Sequence, residues 1–185
     1  MNNKTVKLAL VLFLICAIVA GILGVVNELA KTRIAQYQDE KELKALSIVL
    51  PADSFSPVKL SPKNFMGKKI SVISVMQADN GSGYAVKCSF SGAQGIITML
   101  VGVNNDLKCT GISILSHSET SGLGANAAST AEVGVNFRSQ FEGVGADVAL
   151  AKKGGTIDAL TGATITSSSV TNAVSEAIRV VESIG

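Results

Sequence analysis

Several residue types on which catalytic and metal sites depend are scarce in this chain. Its 185 residues include one histidine, three cysteines and no tryptophan, and the formal net charge is only +2. The cysteines lack metal-ligand spacing and no second histidine is present, so neither a metal site nor catalytic residues such as a nucleophile–base pair are predicted. No basic cluster interleaved with aromatic residues occurs, and nucleic acid is therefore not expected as a partner.

Charge is missing from one long segment near the N-terminus. Residues 8–26 form an apolar run that is long enough to cross a bilayer as a helix. A cleaved signal peptide is the alternative, but the run is long and no clear small-x-small cleavage site follows it. We therefore predict a short cytoplasmic tail at 1–7 and a retained transmembrane anchor at 8–26. The charges on the two sides are nearly balanced, and only the basic, acid-free tail favours a cytoplasmic N-terminus.

Proline is also scarce, and all three prolines lie between Pro51 and Pro62. The segment before them has helical spacing, with Leu43, Leu46 and Leu50 on one face, and Pro51 should end this helix. We expect residues 27–50 to be a helical stalk. The proline-containing segment is predicted to be a loop at which a globular domain, residues 51–185, begins.

The rest of the chain has strand patterns separated by turns. Asn80-Gly81 is a strong hairpin signal, and the residues from Tyr84 to Phe90 then alternate as in a half-buried strand. Strands in series with helices at the end indicate an α+β fold, with an antiparallel or mixed sheet and flanking helices. The predicted strands are 70–76, 84–90, 96–103, 107–115 and 148–151, and the predicted helices are 127–141 and 168–183.

Two of the cysteines, Cys88 and Cys109, fall on apolar faces of predicted strands. This placement favours two buried thiols. A disulfide between them remains the alternative if the domain faces an oxidising compartment.

A first motif lies directly before the predicted C-terminal helix. Residues 158–164 read Asp-Ala-Leu-Thr-Gly-Ala-Thr, and Ile-Thr-Ser-Ser-Ser follows. Residues 166–168 are good N-cap types. The motif therefore places a small, uncharged, hydroxyl-rich loop at a helix start, where free N–H groups and the positive end of the dipole suit a phosphate.

A second motif lies between the strand ending near Leu115 and the next predicted helix. Residues 116–124 read Ser-His-Ser-Glu-Thr-Ser-Gly-Leu-Gly. The two glycines allow backbone conformations that turn N–H groups toward a ligand. Within this loop we expect His117 to be a surface or hydrogen-bonding residue rather than a catalyst. Glu119 has two interpretations, as a capping or salt-bridge residue or as part of a ligand site.

Both motifs resemble those of the FMN-binding domain family shared by the G subunit of Rnf complexes and the C subunit of sodium-pumping NADH:quinone reductases. The first resembles the signature Asp-x-x-(Ser/Thr)-Gly-Ala-(Thr/Ser). The second resembles His-x-Glu-Thr-Pro-Gly-Leu-Gly, with Ser121 where that family often has proline. In this family a flavin transferase uses FAD to join FMN to the last hydroxyl residue through a phosphoester. The resemblance therefore implies covalent FMN on Thr164, with Thr161 and Thr166 as the next candidates.

The resemblance also implies two overlapping sets of site residues. One set would bind the cofactor and the other would be recognised by the transferase. Asp158 belongs to the transferase set, although it has an alternative role as a cap of the turn before Thr161. The implied cofactor-binding residues are Glu119, Thr120, Gly122, Leu123, Gly124, Thr161, Gly162, Ala163 and Thr166, and those recognised by the transferase are Asp158, Thr161, Gly162, Ala163 and Thr164.

The resemblance to the G subunit covers nearly the whole chain, whereas the C subunit is usually longer. The resemblance to the G subunit implies an electron-carrying subunit of a ferredoxin:NAD⁺ oxidoreductase that couples electron flow to Na⁺ or H⁺ translocation. The domain would lie on the extracytoplasmic side of the cell membrane, beside other membrane subunits. Two alternatives remain: a C-type subunit, or a flavin-free, membrane-tethered binding domain in which residues 158–164 are only a helix cap.

Overall fold

The computed structural model describes residues 3–59 and 70–184. The chain divides into two compact units, Met1–Lys41 and Glu42–Gly185. A long first helix, α1, runs over Asn3–Val49 and so contributes to both units. Two further α-helices follow in the second unit: α2 is Glu132–Ser139 and α3 is Thr164–Glu182.

The first unit contains the apolar part of α1. The stretch Val6–Val49 includes an 18-residue window with a mean hydropathy of 3.1, and none of that window is buried. Its length and composition are sufficient for a membrane span. Of the tail predicted at 1–7, residues 1 and 2 lie outside the described part of the chain. The helix ends just before Leu50 and Pro51, as predicted, because a proline disfavours helical geometry in the residue before it.

The second unit is built on a five-stranded antiparallel sheet whose strands follow one another in chain order. Short connections join the last four strands to one another, and the sheet is antiparallel rather than mixed, so the predicted α+β class is confirmed. The strands are β1 (Phe55–Pro57), β2 (Ser71–Ala78), β3 (Gly83–Ser91), β4 (Ile96–Asn104) and β5 (Cys109–Ser116).

Both faces of the sheet are covered. On one face, α3 packs through residues such as Val174 and Ile178 into the main core. On the other face, the last two turns of α1 bury Leu46 and Val49 against the sheet, in a smaller cluster that includes Leu100. Strand β4 is therefore buried on both sides, which explains its continuous apolar sequence.

Because the last turns of α1 pack on the second face of the sheet, the compact unit begins at Glu42, within the helix. The sequence had placed the start of the domain at residue 51, after the helix. At the contact, the hydroxyl of Thr110 donates a hydrogen bond to the carbonyl of Val49. A side chain at Gly102 would collide with the same carbonyl, so the helix backbone approaches the sheet closely there.

The continuous helix predicted over 127–141 is wrong. A 3₁₀ helix at Gly124–Ala128 comes first, and α2 begins only at Glu132. The break lies at Ser129, whose backbone is extended and whose Oγ accepts a hydrogen bond of 3.1 Å from the N–H of Ala131. Such local bonds compete with helical ones.

Two other predictions over loops need correction. The strand expected at 148–151 is reduced to a single bridge between Leu150 and Ile157, followed by a 3₁₀ helix at Ala151–Lys153. The loop expected over 51–62 contains the short edge strand β1, which ends at Pro57, and edge positions tolerate proline. Residues 60–62 of that loop lie outside the described part of the chain.

The two sheet cysteines are free and buried, as the sequence favoured. Cys88 lies opposite Met99 and Cys109 lies opposite Val103, so β4 separates the two thiols. Two strand spacings amount to about 9.6 Å, which exceeds the reach of a disulfide. Burial raises the pKa of each thiol to about 12.

Candidate functional site

The C-terminal helix begins four residues earlier than the sequence predicted. Ala163 occupies the N-cap position and Thr164 is the first helical residue. The predicted start at 168 is wrong because the hydroxyl of Ser167 is drawn inward. It donates to the carbonyl of Ala163 at 2.9 Å and accepts from the N–H of Leu160 at 3.0 Å. Residues 166–168 were predicted to be N-cap residues. They lie instead inside the first turns of the helix.

The start of α3 has no side-chain cap among the described residues. None of their side chains bonds to its first N–H groups, and its first turn contains no acidic residue. Free N–H groups and an uncompensated dipole leave this helix end electropositive. Thr164 is exposed there. Its hydroxyl makes no hydrogen bond to any residue in the described ranges and is therefore free to be esterified.

A groove of about 370 Å³ lies beside Thr164, between the start of α3 and the second motif. Its volume falls in the usual range for small-ligand sites. Leu123 and Ile165, which are 44% and 65% exposed, give it an apolar rim. The groove brings together most of the predicted cofactor-binding residues, namely Glu119, Thr120, Leu123, Gly124, Gly162, Ala163 and Thr166, but not Gly122 or Thr161.

Glu119 is the buried charged group of this groove, with 8% of its surface exposed. Its Oε2 accepts a hydrogen bond of 2.5 Å from the hydroxyl of Thr166, and its Oε1 accepts one of 3.0 Å from the N–H of Gln94. Burial acts to raise the pKa of this carboxyl, but these bonds and the N–H groups of Ala93 and Gly95 outweigh it, so the pKa is lowered. Glu119 therefore links three segments as an ionised carboxylate.

The glycines of the two motifs allow them to meet. Gly122 and Gly162 have φ angles of +76° and +72°, which favour glycine. A Cβ at Gly162 would lie 2.9 Å from the Leu123 side chain, and one at Gly124 would lie 2.6 Å from the Thr166 hydroxyl. Side chains at these positions would collide with residues of the facing motif and push the two motifs apart.

A second cavity, of about 360 Å³, lies on the other side of Thr164 and shares Thr164 and Gly162 with the groove. Asp158 and Thr161 line this second cavity, whereas Ala163 does not. Most of the residues predicted for transferase recognition are thus on one surface. The carboxylate of Asp158 is exposed and caps no N–H group in the described ranges, so its alternative role as a turn cap has no support.

His117 lies outside the groove. It is exposed, and its Nδ1 accepts a hydrogen bond of 3.3 Å from the N–H of Glu119. This is the surface, hydrogen-bonding role that the sequence favoured. The histidine shapes the loop that carries Glu119 and is not placed to contact a ligand in the groove.

Sequence reasoning missed two contributions to the site. The β3–β4 turn supplies Gln94, and nothing in the local pattern of that turn indicates a ligand site. Arg138 donates hydrogen bonds of 2.7 and 2.9 Å to the carbonyls of Ala127 and Ser129, so it ties α2 to the 3₁₀ helix beside the groove. Burial lowers the pKa of its guanidinium. Its position next to the unpredicted helix break was not visible from the spacing alone.

An electropositive helix start, a free hydroxyl and a groove with an apolar rim define a domain suited to a phosphate-bearing ligand. Comparison with known families agrees, because the model of the FMN-binding domain matches residues 92–179. That of the RnfG N-terminal region matches residues 1–49.

Curated relatives match along nearly the whole chain. The G subunit of the ion-translocating oxidoreductase complex of Methanosarcina acetivorans is 33% identical over 96% of this chain and 94% of its own length. The G subunit of the proton-translocating ferredoxin:NAD⁺ oxidoreductase complex of Clostridium ljungdahlii is 34% identical over 94% of this chain and 88% of its own length. The G subunit of the Na⁺-translocating ferredoxin:NAD⁺ oxidoreductase complex of Acetobacterium woodii is 33% identical, covering 96% and 92%. The chain belongs to the family of Rnf G subunits.

The residues present fit FMN. The free hydroxyl of Thr164 and the uncapped start of α3 suit its phosphate, and the groove of about 370 Å³ suits a bulky group. The exposed side chains of Leu123 and Ile165 offer apolar surface for a planar ring. Every one of these features lies within a single turn of α3 or faces it across the groove.

Proposed function

We propose that this chain is a membrane-anchored, electron-carrying subunit that holds FMN covalently on Thr164. The observation that carries the proposal is the exposed, unbonded hydroxyl of Thr164 at an uncapped helix start, next to the groove. Bound FMN would supply the ability to accept and release electrons. The protein then needs no proton-transfer triad of its own.

In the attachment that we propose, a flavin transferase acts on Thr164 with FAD as the donor. The Thr164 oxygen forms a bond to the phosphorus of the FMN half, the anhydride bond of FAD breaks, and AMP leaves. The hydroxyl proton is released at the same time. Asp158, Thr161 and Gly162 would be read by the transferase because they share the exposed surface on one side of Thr164.

The remaining site residues would position the group. The dipole of α3 would stabilise the linking phosphate by roughly 0.3–1 kcal/mol. Leu123 would offer apolar surface to the ring, and Gly124 lets the second motif approach Thr166 closely. Glu119 and Thr166 would act together, because their mutual hydrogen bond fixes the floor of the groove.

At the level of the complex, we propose a place in a ferredoxin:NAD⁺ oxidoreductase that couples electron transfer to ion translocation. Two relatives with such names share about a third of their residues with this chain over nearly its full length. One is named for protons and the other for Na⁺, so no ion is assigned. Other subunits of that complex would be the partners, with α1 as the anchor and the FMN domain on the extracytoplasmic side.

The test is whether the denatured protein retains flavin fluorescence. Co-expressed with its flavin transferase and run on a denaturing gel, the wild-type chain should give a fluorescent band under ultraviolet light. Thr164→Val should lose the band while the domain keeps its fold, because the Thr164 side chain is exposed and makes no hydrogen bond to another described residue.

Thr156→Val is the matched control, because Thr156 is an exposed threonine that belongs to neither motif. It removes a hydroxyl without removing the attachment atom, so some band should remain. A band that persists in Thr164→Val would place the attachment elsewhere, with Thr161 and Thr166 as candidates. A wild-type chain without fluorescence, made beside a transferase that labels another target, would overturn the proposal and favour a flavin-free binding domain.

A further inference from the structure

Two adjacent lysines lie beside the attachment residue, on the 3₁₀ helix Ala151–Lys153. We propose that Lys152 and Lys153 neutralise the phosphate that links FMN to Thr164. The inference rests on the proposed function, since it assumes that a phosphate is attached there. It assigns these lysines a binding role that neither motif of the sequence indicated.

The position of Lys153 is fixed by a contact with α3. Its Nζ donates a hydrogen bond of 3.3 Å to the hydroxyl of Ser168. Ser168 is four residues after Thr164 on the same helix, and side chains at that spacing are neighbours on one face, about 5–6 Å apart. An ammonium group on Ser168 is therefore within a side-chain rotation of a phosphate on Thr164.

Lys152 reaches the same place from the second cavity. It lines the 360 Å³ cavity together with Thr161 and Thr164. Neither lysine forms an ion pair with an acid in the described ranges. Asp158 is the one acidic side chain among the residues that line that cavity, and the first turn of α3 contains no acid. The two lysines therefore outnumber the acid near Thr164, and the local charge favours an anion.

The loop that carries the lysines is held in place by its own backbone. The N–H of Ala151 donates 2.8 Å to the carbonyl of Ile157, and the N–H of Gly155 donates 3.0 Å to that of Leu150. Gly154 ends the 3₁₀ helix with a φ of +82°, which turns the chain back toward the first motif. The ammonium groups are thus presented by a fixed turn and not by a free loop.

The decisive measurement is the ³¹P NMR shift of the attached phosphate in the full-length chain in detergent. In the wild-type protein this resonance should move when urea unfolds the domain, because the native phosphate contacts ammonium groups. In Lys152→Gln/Lys153→Gln the native resonance should lie nearer the unfolded position. Lys152→Arg/Lys153→Arg should restore most of the native displacement, since the charge is kept.

A second readout is thermal. Attachment of FMN should raise the melting temperature of the wild-type chain relative to Thr164→Val, and the gain should shrink in high salt. The double glutamine variant should lose much of this gain and its salt dependence. The control is Lys59→Gln/Lys108→Gln, which makes the same change in charge. These two exposed lysines lie outside both cavities beside Thr164, and Lys108 is at the opposite end of β4 from Gln94.

The outcomes separate the two proposals. A missing fluorescent band in the wild-type chain would overturn the proposed function itself. A wild-type band together with an unchanged ³¹P shift and thermal gain in the glutamine variant would overturn the role of the lysines alone. Slower labelling with an unchanged ³¹P shift would also overturn it, because the lysines would then serve the transferase and not the phosphate.

Discussion

Among individual residues, Glu119 has the most influence on the groove. Its carboxylate accepts hydrogen bonds from Thr166 on α3 and from Gln94 on the β3–β4 turn, and it is itself carried by the second motif. Three segments that are distant in sequence therefore meet at one side chain. The Thr166 hydroxyl, which the resemblance had given to the cofactor, is committed to this carboxylate.

We predict that Glu119→Ala destabilises the domain by about 1–3 kcal/mol, because the Thr166 hydroxyl and the Gln94 N–H lose their buried acceptor. Glu119→Gln keeps the shape and should cost less at neutral pH. Urea unfolding of the full chain at pH 7 measures both variants. Thr166→Val should be milder than Glu119→Ala, since it removes one donor and leaves the backbone bonds in place.

The acid dependence follows from the lowered pKa of Glu119. A carboxyl whose pKa is lower in the folded state than its ordinary value of 4.5 contributes stability above that value. The contribution is lost as the pH falls through the folded-state pKa. Stability should therefore decline less steeply in acid for Glu119→Gln than for the wild type, while Glu182→Gln, an exposed control on α3, should follow the wild-type curve. Equal slopes in all three would show that Glu119 does not carry a lowered pKa.

Among the elements, the long strands and the C-terminal helix α3 were predictable, but the start of α3 was not. The hairpin at Asn80-Gly81 and the alternation along β3 follow from local chemistry, and those predictions were confirmed. The start of α3 was misplaced because Ser167 looks like an N-cap in sequence, yet it finds partners in Ala163 and Leu160. Which hydroxyl caps a helix depends on tertiary partners that a single sequence does not show.

The same distinction holds for the site. The two motifs and Thr164 were identified by residue type and spacing, and the structure places most of their predicted residues on one groove. Gln94, Arg138 and the two lysines of the 3₁₀ helix were missed. Gln94 contributes through its backbone N–H, Arg138 through bonds to backbone carbonyls across a helix break, and the lysines through a loop that folds back. None of these contributions leaves a periodic signal in the chain.

The last turns of α1 give a prediction at the scale of elements. Leu46 is 2% exposed against the sheet, whereas Ile48, two residues later, is 70% exposed. Leu46→Ala should therefore cost about 2–5 kcal/mol, because it leaves a cavity between the helix and β4. Ile48→Ala in the same helix should change stability by less than about 0.5 kcal/mol. Urea unfolding with a sheet-sensitive probe compares them, and equal costs would mean that this end of α1 does not pack as described.

At the scale of the whole molecule, α1 contributes residues to both units. Residues 8–26 carry no charge, while the helix from Glu42 onward packs as part of the domain. We propose that the anchor is retained and that the soluble domain begins near residue 42, not at 51. A fragment cut at 51 would lose Leu46 and Val49 and expose the second face of the sheet.

A retained anchor would determine how the chain fractionates. The full-length protein should remain with membranes after an alkaline carbonate wash, because transfer of the apolar run to water is too costly. The fragment 42–185 should be recovered in the soluble fraction and should unfold at a higher urea concentration than fragment 51–185. Mass spectrometry of the membrane-bound chain from its native host distinguishes an anchor from a signal peptide. A mature protein that lacks residues 8–26 would mean that the run is removed, and the domain would then need another attachment to reach its partners in the membrane.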